Sequence, residues 1–227
     1  VLSTWPDGSI KWLLVTFSAD CAPNAETRYT LTGRAAKPDK APAVSVREEA
    51  GQIVVETGVL KTELDREYFD LFGRVWLDHN RDGVYADSEM VTTPERAVGI
   101  SAVDALGRKM ASRWGRIDSL AVEESGPLRA VVMVKGSLNE YESYMRGASY
   151  VDYTARLQFH AGSGLVRVFF TLENHNPSVP GKDRDGDPSH WVLGRTGSFF
   201  FRDMSLNTRL AFFGPQELSA GDGQGDV

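Results

Sequence analysis

The sequence predicts a nearly all-β protein built from antiparallel sheets, and three of its features say so. Residues 150–160 and 165–175 alternate apolar and polar side chains one by one, the period of a strand with one buried face. Elsewhere short apolar runs are cut by turn-forming residues, drawn from 22 Gly and 10 Pro in 227 residues. Apolar residues at helical spacing over about ten positions or more occur only at 103–114, which is the one helix candidate.

Taken in order, residues 1–5 and the apolar run 10–17 flank a tight turn at Pro6-Asp7-Gly8 and read as a β-hairpin, with a further strand at 28–31. Residues 33–42 hold Pro38, Pro42, four charges and three Ala; they bury too little to fold and set a boundary between residues 1–40 and 41–227. Strands follow at 43–47, 53–56 and 59–64, the last two joined at Thr57-Gly58, then at 73–77, 98–103, 117–122, 128–135, 197–202 and 205–212. The Gly-rich, acidic tail 221–227 reads as frayed.

The alternating pair predicts its own register. With Ala161-Gly162-Ser163-Gly164 as the loop, Phe159 lies opposite Val166, Leu157 opposite Val168, Ala155 opposite Phe170 and Tyr153 opposite Leu172, and Val151 extends the same core face. A slip of one residue would bury charges instead. The other face carries Tyr150, Asp152, Arg156, Gln158 and His160 beside Arg167, Phe169, Glu173 and His175. Alternation demands a wet side in any case, so this face reads either as solvated surface or as a wall for a sugar chain, which planar hydrogen-bonding groups and exposed rings suit. Asp152 opposite Glu173 calls for a cation between them, and Arg156 is the expected one.

Composition narrows the function classes. Hydrophobic residues at 41% and charged residues at 25% describe an ordinary globular chain. A net charge of −6 without any basic stripe excludes a nucleic-acid partner, which requires clustered Lys and Arg. No apolar run approaches the ~20 residues of a membrane helix. Cys21 is the only cysteine, so no intrachain disulfide forms. The chain opens without Met inside a strand-turn unit, as expected of a processed or trimmed molecule.

Residues 78–89 read Asp-His-Asn-Arg-Asp-Gly-Val-Tyr-Ala-Asp-Ser-Glu. Asp78, Asn80 and Asp82 stand at positions one, three and five of a calcium loop, Gly83 at six, Val84 at seven with its carbonyl, and Glu89 at twelve. Alternate residues of a tightly wound loop converge on one hard cation, and the Gly permits the bend. The spacing predicts Ca²⁺; the alternative is a polar hairpin turn closed by Asx-type bonds. Asp183, Asp185 and Asp187 form a second acidic cluster with no carboxylate at the matching twelfth position, and read either as a turn or as a metal site. A structural calcium fits an extracellular or periplasmic setting.

The segment Trp5-Pro6-Asp7-Gly8-Ser9-Ile10-Lys11-Trp12-Leu13-Leu14 resembles the Trp-Pro-Asp-Gly-Ser strand signature of the N-terminal RIFT barrel in rhamnogalacturonan exolyase-like proteins. Glu56-Thr57-Gly58-Val59-Leu60, Glu124-Ser125-Gly126-Pro127-Leu128-Arg129-Ala130-Val131-Val132 and Arg156-Leu157-Gln158-Phe159-His160-Ala161-Gly162-Ser163 resemble its β super-sandwich, so that the likeness spans most of residues 5–175. The resemblance implies a partial small β barrel over 1–40 followed by a large antiparallel β super-sandwich over 41–227. It also implies an acidic polysaccharide as partner, and β-elimination at its uronates. The early barrel strands and the α/α toroid of that family lie outside this sequence, so a helical C-terminal domain or self-assembly would have to supply the opposite wall of a cleft. Candidates for the chemistry, in loops flanking the central hairpin, are His175, His190 and Tyr144 as base and acid, with Arg146 and Arg195 as cations facing the carboxylate. The alternative is a non-catalytic, calcium-stabilised β module that binds glycan or builds an extracellular assembly.

Overall fold

The computed structural model describes residues 1–32, 43–93, 97–140, 151–174 and 198–211. Among them the chain forms β1 (Ser3–Thr4), β2 (Ile10–Trp12), β3 (Ser45–Glu48), β4 (Gln52–Glu56), β5 (Leu60–Asp65), β6 (Arg74–Leu77), β7 (Met90–Thr92), β8 (Gly99–Asp104) and β9 (Lys109–Ala111). Then come β10 (Ile117–Ser125), β11 (Arg129–Ser137), β12 (Asn139–Glu140), β13 (Val151–His160), β14 (Val166–Asn174) and β15 (Phe201–Asn207). Helix among the described residues is confined to short 3-10 turns at Asp87–Glu89 and Ser112–Trp114. The sheets are β1-β2, β3-β4-β5-β6-β7, β12-β9-β8-β15 and β10-β11-β13-β14.

The last of these carries the core. Val151, Tyr153, Ala155, Leu157 and Phe159 are all buried, and every alternate residue of β13 is only partly so. Opposite them, Phe159 pairs with Val166, Leu157 with Val168, Ala155 with Phe170 and Tyr153 with Leu172, the register the alternation predicts. On the other side β11 offers Ala130 to Phe159, Val132 to Leu157 and Val134 to Ala155. This face joins one apolar cluster with Ile53, Val55, Leu60, Leu64 and Val75 of the five-stranded sheet and with Ile100, Ala102 and Met110 of β8 and β9. Two layers closing over one core make a sandwich. Phe69, in the β5–β6 connection, stacks on Tyr153 at 5.3 Å between ring centroids.

Hairpin tips lock the layers together. Gly162 N donates to Thr57 O at 2.7 Å, and the buried Thr57 hydroxyl donates to Ser163 O at 2.8 Å. The β4–β5 turn is thereby tied to the β13–β14 turn, which fixes both at one rim of the sandwich.

Several expected elements differ. Residues 103–114 are not a helix: β8 ends at Asp104, whose Oδ1 accepts the amides of Leu106 and Arg108 and whose Oδ2 accepts Arg108 Nε at 2.6 Å. That carboxylate and Gly107, at φ +86°, close a β8–β9 hairpin where the apolar spacing had mimicked a helix face. The expected strands at 197–202 and 205–212 reduce, among the described residues, to the single β15, because a bulge between Phe201 and Asp203 lets one run stay paired with β8. Residues 28–31 and 13–17 are exposed and pair with no strand among the described residues; an apolar run is a strand only with a partner. The linker at 33–42 and the tail at 221–227 lie outside the described residues.

This packing predicts a sharp asymmetry between two residues of the same hairpin. Leu157→Ala, which empties a fully buried site, should cost about 2–5 kcal/mol in urea unfolding with the m-value unchanged. Phe169→Ala, on the half-exposed outer face, should cost about 1 kcal/mol or less. Equal costs would mean that the inner face has been misassigned.

Candidate functional site

On the outer face of the central sheet the sequence-predicted residues come together as strand geometry requires. Asp152, Arg156, Gln158 and His160 stand on β13, with Glu173 opposite Asp152, Phe169 opposite Arg156 and Arg167 opposite Gln158 on β14. Tyr150 lies outside the described residues. Arg156 does not bridge Asp152 and Glu173. Its Nε and Nη2 donate instead to Glu123 at 2.7 and 2.9 Å, and its Nη2 approaches Met133 Sδ at 3.7 Å.

Glu123 was not legible as a member of this face. A register shift in β10 between Val122 and Glu124 brings two successive glutamates beside it. Glu124 holds Arg129 through Nε at 3.1 Å and Nη2 at 2.6 Å. The hydrogen bond from Arg156, followed by its charge, keeps the Glu123 carboxyl below its ordinary range, and the same bond raises Arg156. Two guanidiniums are thus committed to neighbours. Arg167 makes no ion pair among the described residues; its guanidinium lies 6.0 Å from the Phe169 ring centroid, and that ring is half-exposed. Among the described residues the face therefore presents the Arg167 guanidinium, the exposed Lys135 of β11, one open ring, the Gln158 amide and the His160 imidazole. Tyr153 is no candidate base: burial pushes its phenol far up, and its hydroxyl has no partner among the described residues.

The 78–89 loop winds on its own amides. Buried Asp78 accepts from Asp82 N at 3.2 Å and from Gly83 N at 2.9 Å, Asn80 Oδ1 accepts from Asp82 N at 2.9 Å, and Asp82 Oδ1 accepts from Val84 N at 2.7 Å. Glu89 reaches back to His79 N at 3.2 Å and Ala86 N at 3.1 Å. Arg81 at φ +59° and Gly83 at φ +79° make the bend. The loop hangs from the locked rim, with Asp78 N donating to Val59 O at 2.8 Å and Tyr85 Oη to Leu60 O at 3.4 Å. The side-chain oxygens of Asp78, Asn80, Asp82 and Glu89 that take these amides each keep a second lone pair. Among the described residues, however, no three His, Cys, Asp or Glu side chains are grouped so as to hold a metal ion. The loop as it stands is an Asx-closed turn with a calcium-type donor set. The cluster of Asp183, Asp185 and Asp187 lies outside the described residues, as do His175, His190, Tyr144, Arg146 and Arg195.

Sequence reading missed a further cluster. Asp70, 5% exposed, accepts Gly73 N at 2.9 Å through Oδ1, while its Oδ2 has no hydrogen-bond partner. Arg113 Nη1 lies 3.7 Å from that Oδ2, and the Arg113 guanidinium sits 4.3 Å above the Tyr68 ring. Burial raises the Asp70 carboxyl against the opposing pulls of the Gly73 amide and Arg113. Only tertiary contact creates this group, since Asp70 and Arg113 belong to connections separated by β6, β7, β8 and β9.

A family model described as the PcRGLX-like protein central beta sandwich domain matches residues 44–178. The chain is also 27% identical over 167 residues to a Bacillus subtilis (strain 168) protein described as uncharacterized protein YetA, a match covering 74% of this chain and 18% of that one. The chain thus spans less than a fifth of the length of that relative. No helix among the described residues is long and apolar enough to cross a membrane.

The Asp70 environment generates a pH test with a definite sign. Its folded value is raised, so its favourable contribution is present below the unfolded value and is lost as pH rises through the folded one. Asp70→Asn, which keeps an acceptor for Gly73, should therefore be worth more to the melting temperature at about pH 7 than at about pH 3. A variant whose difference from wild type is the same at both ends would place the Asp70 carboxylate in water.

Proposed function

The chain belongs to the PcRGLX-like central β-sandwich family, a domain of rhamnogalacturonan lyase-like proteins, and from that premise we propose that it handles uronate-containing polysaccharide cleaved by β-elimination. The observation that carries this reading is the family match itself, which takes in the five-stranded sheet, β8 and β9 and the central hairpin together. In such a reaction a base removes the weakly acidic proton α to the uronate carboxylate. The freed electron pair forms the ring double bond, the glycosidic C–O bond breaks, and an acid protonates the leaving oxygen. A cation beside the carboxylate must stabilise the charge that develops there.

Arg146 and Arg195 suit that cationic role, and His175, His190 and Tyr144 the proton transfers. The outer face of β13 and β14 suits the polymer: Arg167 for a carboxylate, Phe169 for the apolar side of a sugar ring, Gln158 and His160 for hydroxyls, with Tyr150, Asp152, Arg156 and Glu173 around them. The extracellular or periplasmic space, where such polymers are met, is the proposed setting. A helical domain elsewhere in the full-length protein, or a second molecule, would form the facing wall.

A second reading, a non-catalytic calcium-stabilised module, is favoured by the loop at 78–89. Asp78, Asn80, Asp82 and Glu89, with the Val84 carbonyl, are hard oxygen donors of the kind Ca²⁺ takes, already oriented by main-chain amides. Bound there, the ion would stabilise the rim where the two hairpin tips meet.

Incubation with rhamnogalacturonan separates the readings. Ultraviolet absorbance of an unsaturated product that vanishes in His175→Ala or His190→Ala supports the lyase, whereas binding with no product supports the module. For the loop, chelator should lower the melting temperature by several degrees and Asp82→Ala should abolish that sensitivity, because an ion held only by the folded state stabilises it by linkage. Wild type indifferent to chelator would leave 78–89 as a turn.

A further inference from the structure

Arg113 differs from the glutamate-bound cations of this sandwich, and from Arg74 and Arg167, which also donate no side-chain hydrogen bond among the described residues but are more exposed, in being set between a ring and a buried carboxylate. Arg156 and Arg129 each spend two nitrogens on a glutamate, and Arg66 is held by Leu120 O at 3.1 Å and Glu48 at 2.9 Å. The Arg113 guanidinium, with five N–H groups, donates none of them in a hydrogen bond among the described residues. Its charge partner, Asp70 Oδ2, stops at 3.7 Å, close enough to hold it by attraction and too far to take its protons. The Tyr68 ring fixes the plane of the fork from one side. The side chain remains 28% exposed, so the free N–H groups face solvent.

The backbone beneath is built at a cost. Leu71, buried at 3% exposure, sits at φ +83°, a conformation that a branched side chain avoids. Gly99, at φ +70°, lies under Asp70 so closely that a Cβ there would come within 2.8 Å of Asp70 Cα and 2.5 Å of Ser112 Oγ. Ser112 Oγ donates to Phe69 O at 2.7 Å and accepts Ile100 N at 3.0 Å, clamping the Arg113 turn to the Asp70 loop. Strain, a clamp and a buried carboxylate oxygen with no proton donor converge under one guanidinium whose own donors are unspent. Such a buried unpaired oxygen and such a strained residue call for an explanation beyond packing.

We propose that Arg113, held by Asp70 and Tyr68, is a carboxylate-recognition position for an acidic sugar, separate from the outer face of β13 and β14. A planar fork with free paired donors matches a carboxylate bidentately, and Asp70 restrains it without filling it. The exposed part of Tyr68 offers apolar surface to the sugar ring beside it. The assignment rests on the polysaccharide reading for the class of ligand, and on Arg113 geometry for the place.

The test is an NMR titration of the 227-residue chain with digalacturonate, following arginine Nε–H resonances, with neutral lactose as control. The Arg113 signal is identified by its loss in Arg113→Lys. Digalacturonate should shift that signal saturably, lactose should not, and Arg113→Gln should weaken the binding read from the backbone amide shifts of Tyr68 and Asp70 at least about tenfold. Arg167→Gln should leave the Arg113 shift in place. Wild-type melting behaviour in Arg113→Gln confirms that the fold survives; if it does not, the unaltered chain still reports through its own Arg113 signal. A shift at Arg167 with none at Arg113 overturns this inference and leaves the polysaccharide reading standing. Shifts at neither overturn both.

Discussion

Everything in this molecule depends on the burial of one strand face. Val151, Tyr153, Ala155, Leu157 and Phe159 are each at most 2% exposed, and neither β11 nor β14 can slip by one residue along that strand without turning its polar face inward. Val151, Leu157 and Phe159 each contribute roughly 1.5–3 kcal/mol by leaving water, more than a typical exposed ion pair does. The second layer is set by the same face, since Phe69 lies on Tyr153 and Ile53, Val55, Leu60 and Leu64 close over it.

Once that face is fixed, the outer face follows by the two-residue period, and so does its chemistry. Side chains that cannot be inside must be outside, and these are Arg, Gln, His, Phe and Glu. The β10 bulge then decides which of them remain open to a ligand. By presenting Glu123 and Glu124 together it occupies Arg156 and Arg129 and leaves Arg167 uncommitted. The loop at 78–89 is subordinate to the same scaffold, because its first amide hangs from Val59 and the turn that carries Val59 is tied to the β13–β14 tip.

How much of this can be read from the sequence follows the range of the interactions. The β13–β14 register was legible because alternation is a local signal and the loop between the arms is short. The Thr57-Gly58 turn, β4, β5, β6, β10 and β11 were legible for the same reason, near the positions expected. The β8–β9 hairpin was not: its apolar spacing fits a helix, and only the Asp104 carboxylate, which takes two amides and a guanidinium, decides for a turn. Residues of the outer face were legible as a set, but the assignment of Arg156 was wrong, since a bulge leaves no mark in a hydrophobic pattern. Nothing in the sequence announced Asp70 and Arg113. Their meeting is made by contacts such as Ser112 to Phe69, 43 residues apart. In residues 78–89 the spacing picked out the side chains that wind the loop, Asp78, Asn80, Asp82 and Glu89, as ligands for an ion, and in the structure these carboxylates and this amide take main-chain N–H groups, as the alternative of an Asx-closed turn has it.

Recognition of sugar carboxylates is measured most directly by calorimetry on the 227-residue chain. Rhamnogalacturonan oligosaccharides should bind with a measurable heat, and reduction of their uronate carboxyls to alcohols, which leaves the sugar skeleton in place, should abolish the signal. Equal binding of the reduced and unreduced oligosaccharides, or no binding of either, would contradict it.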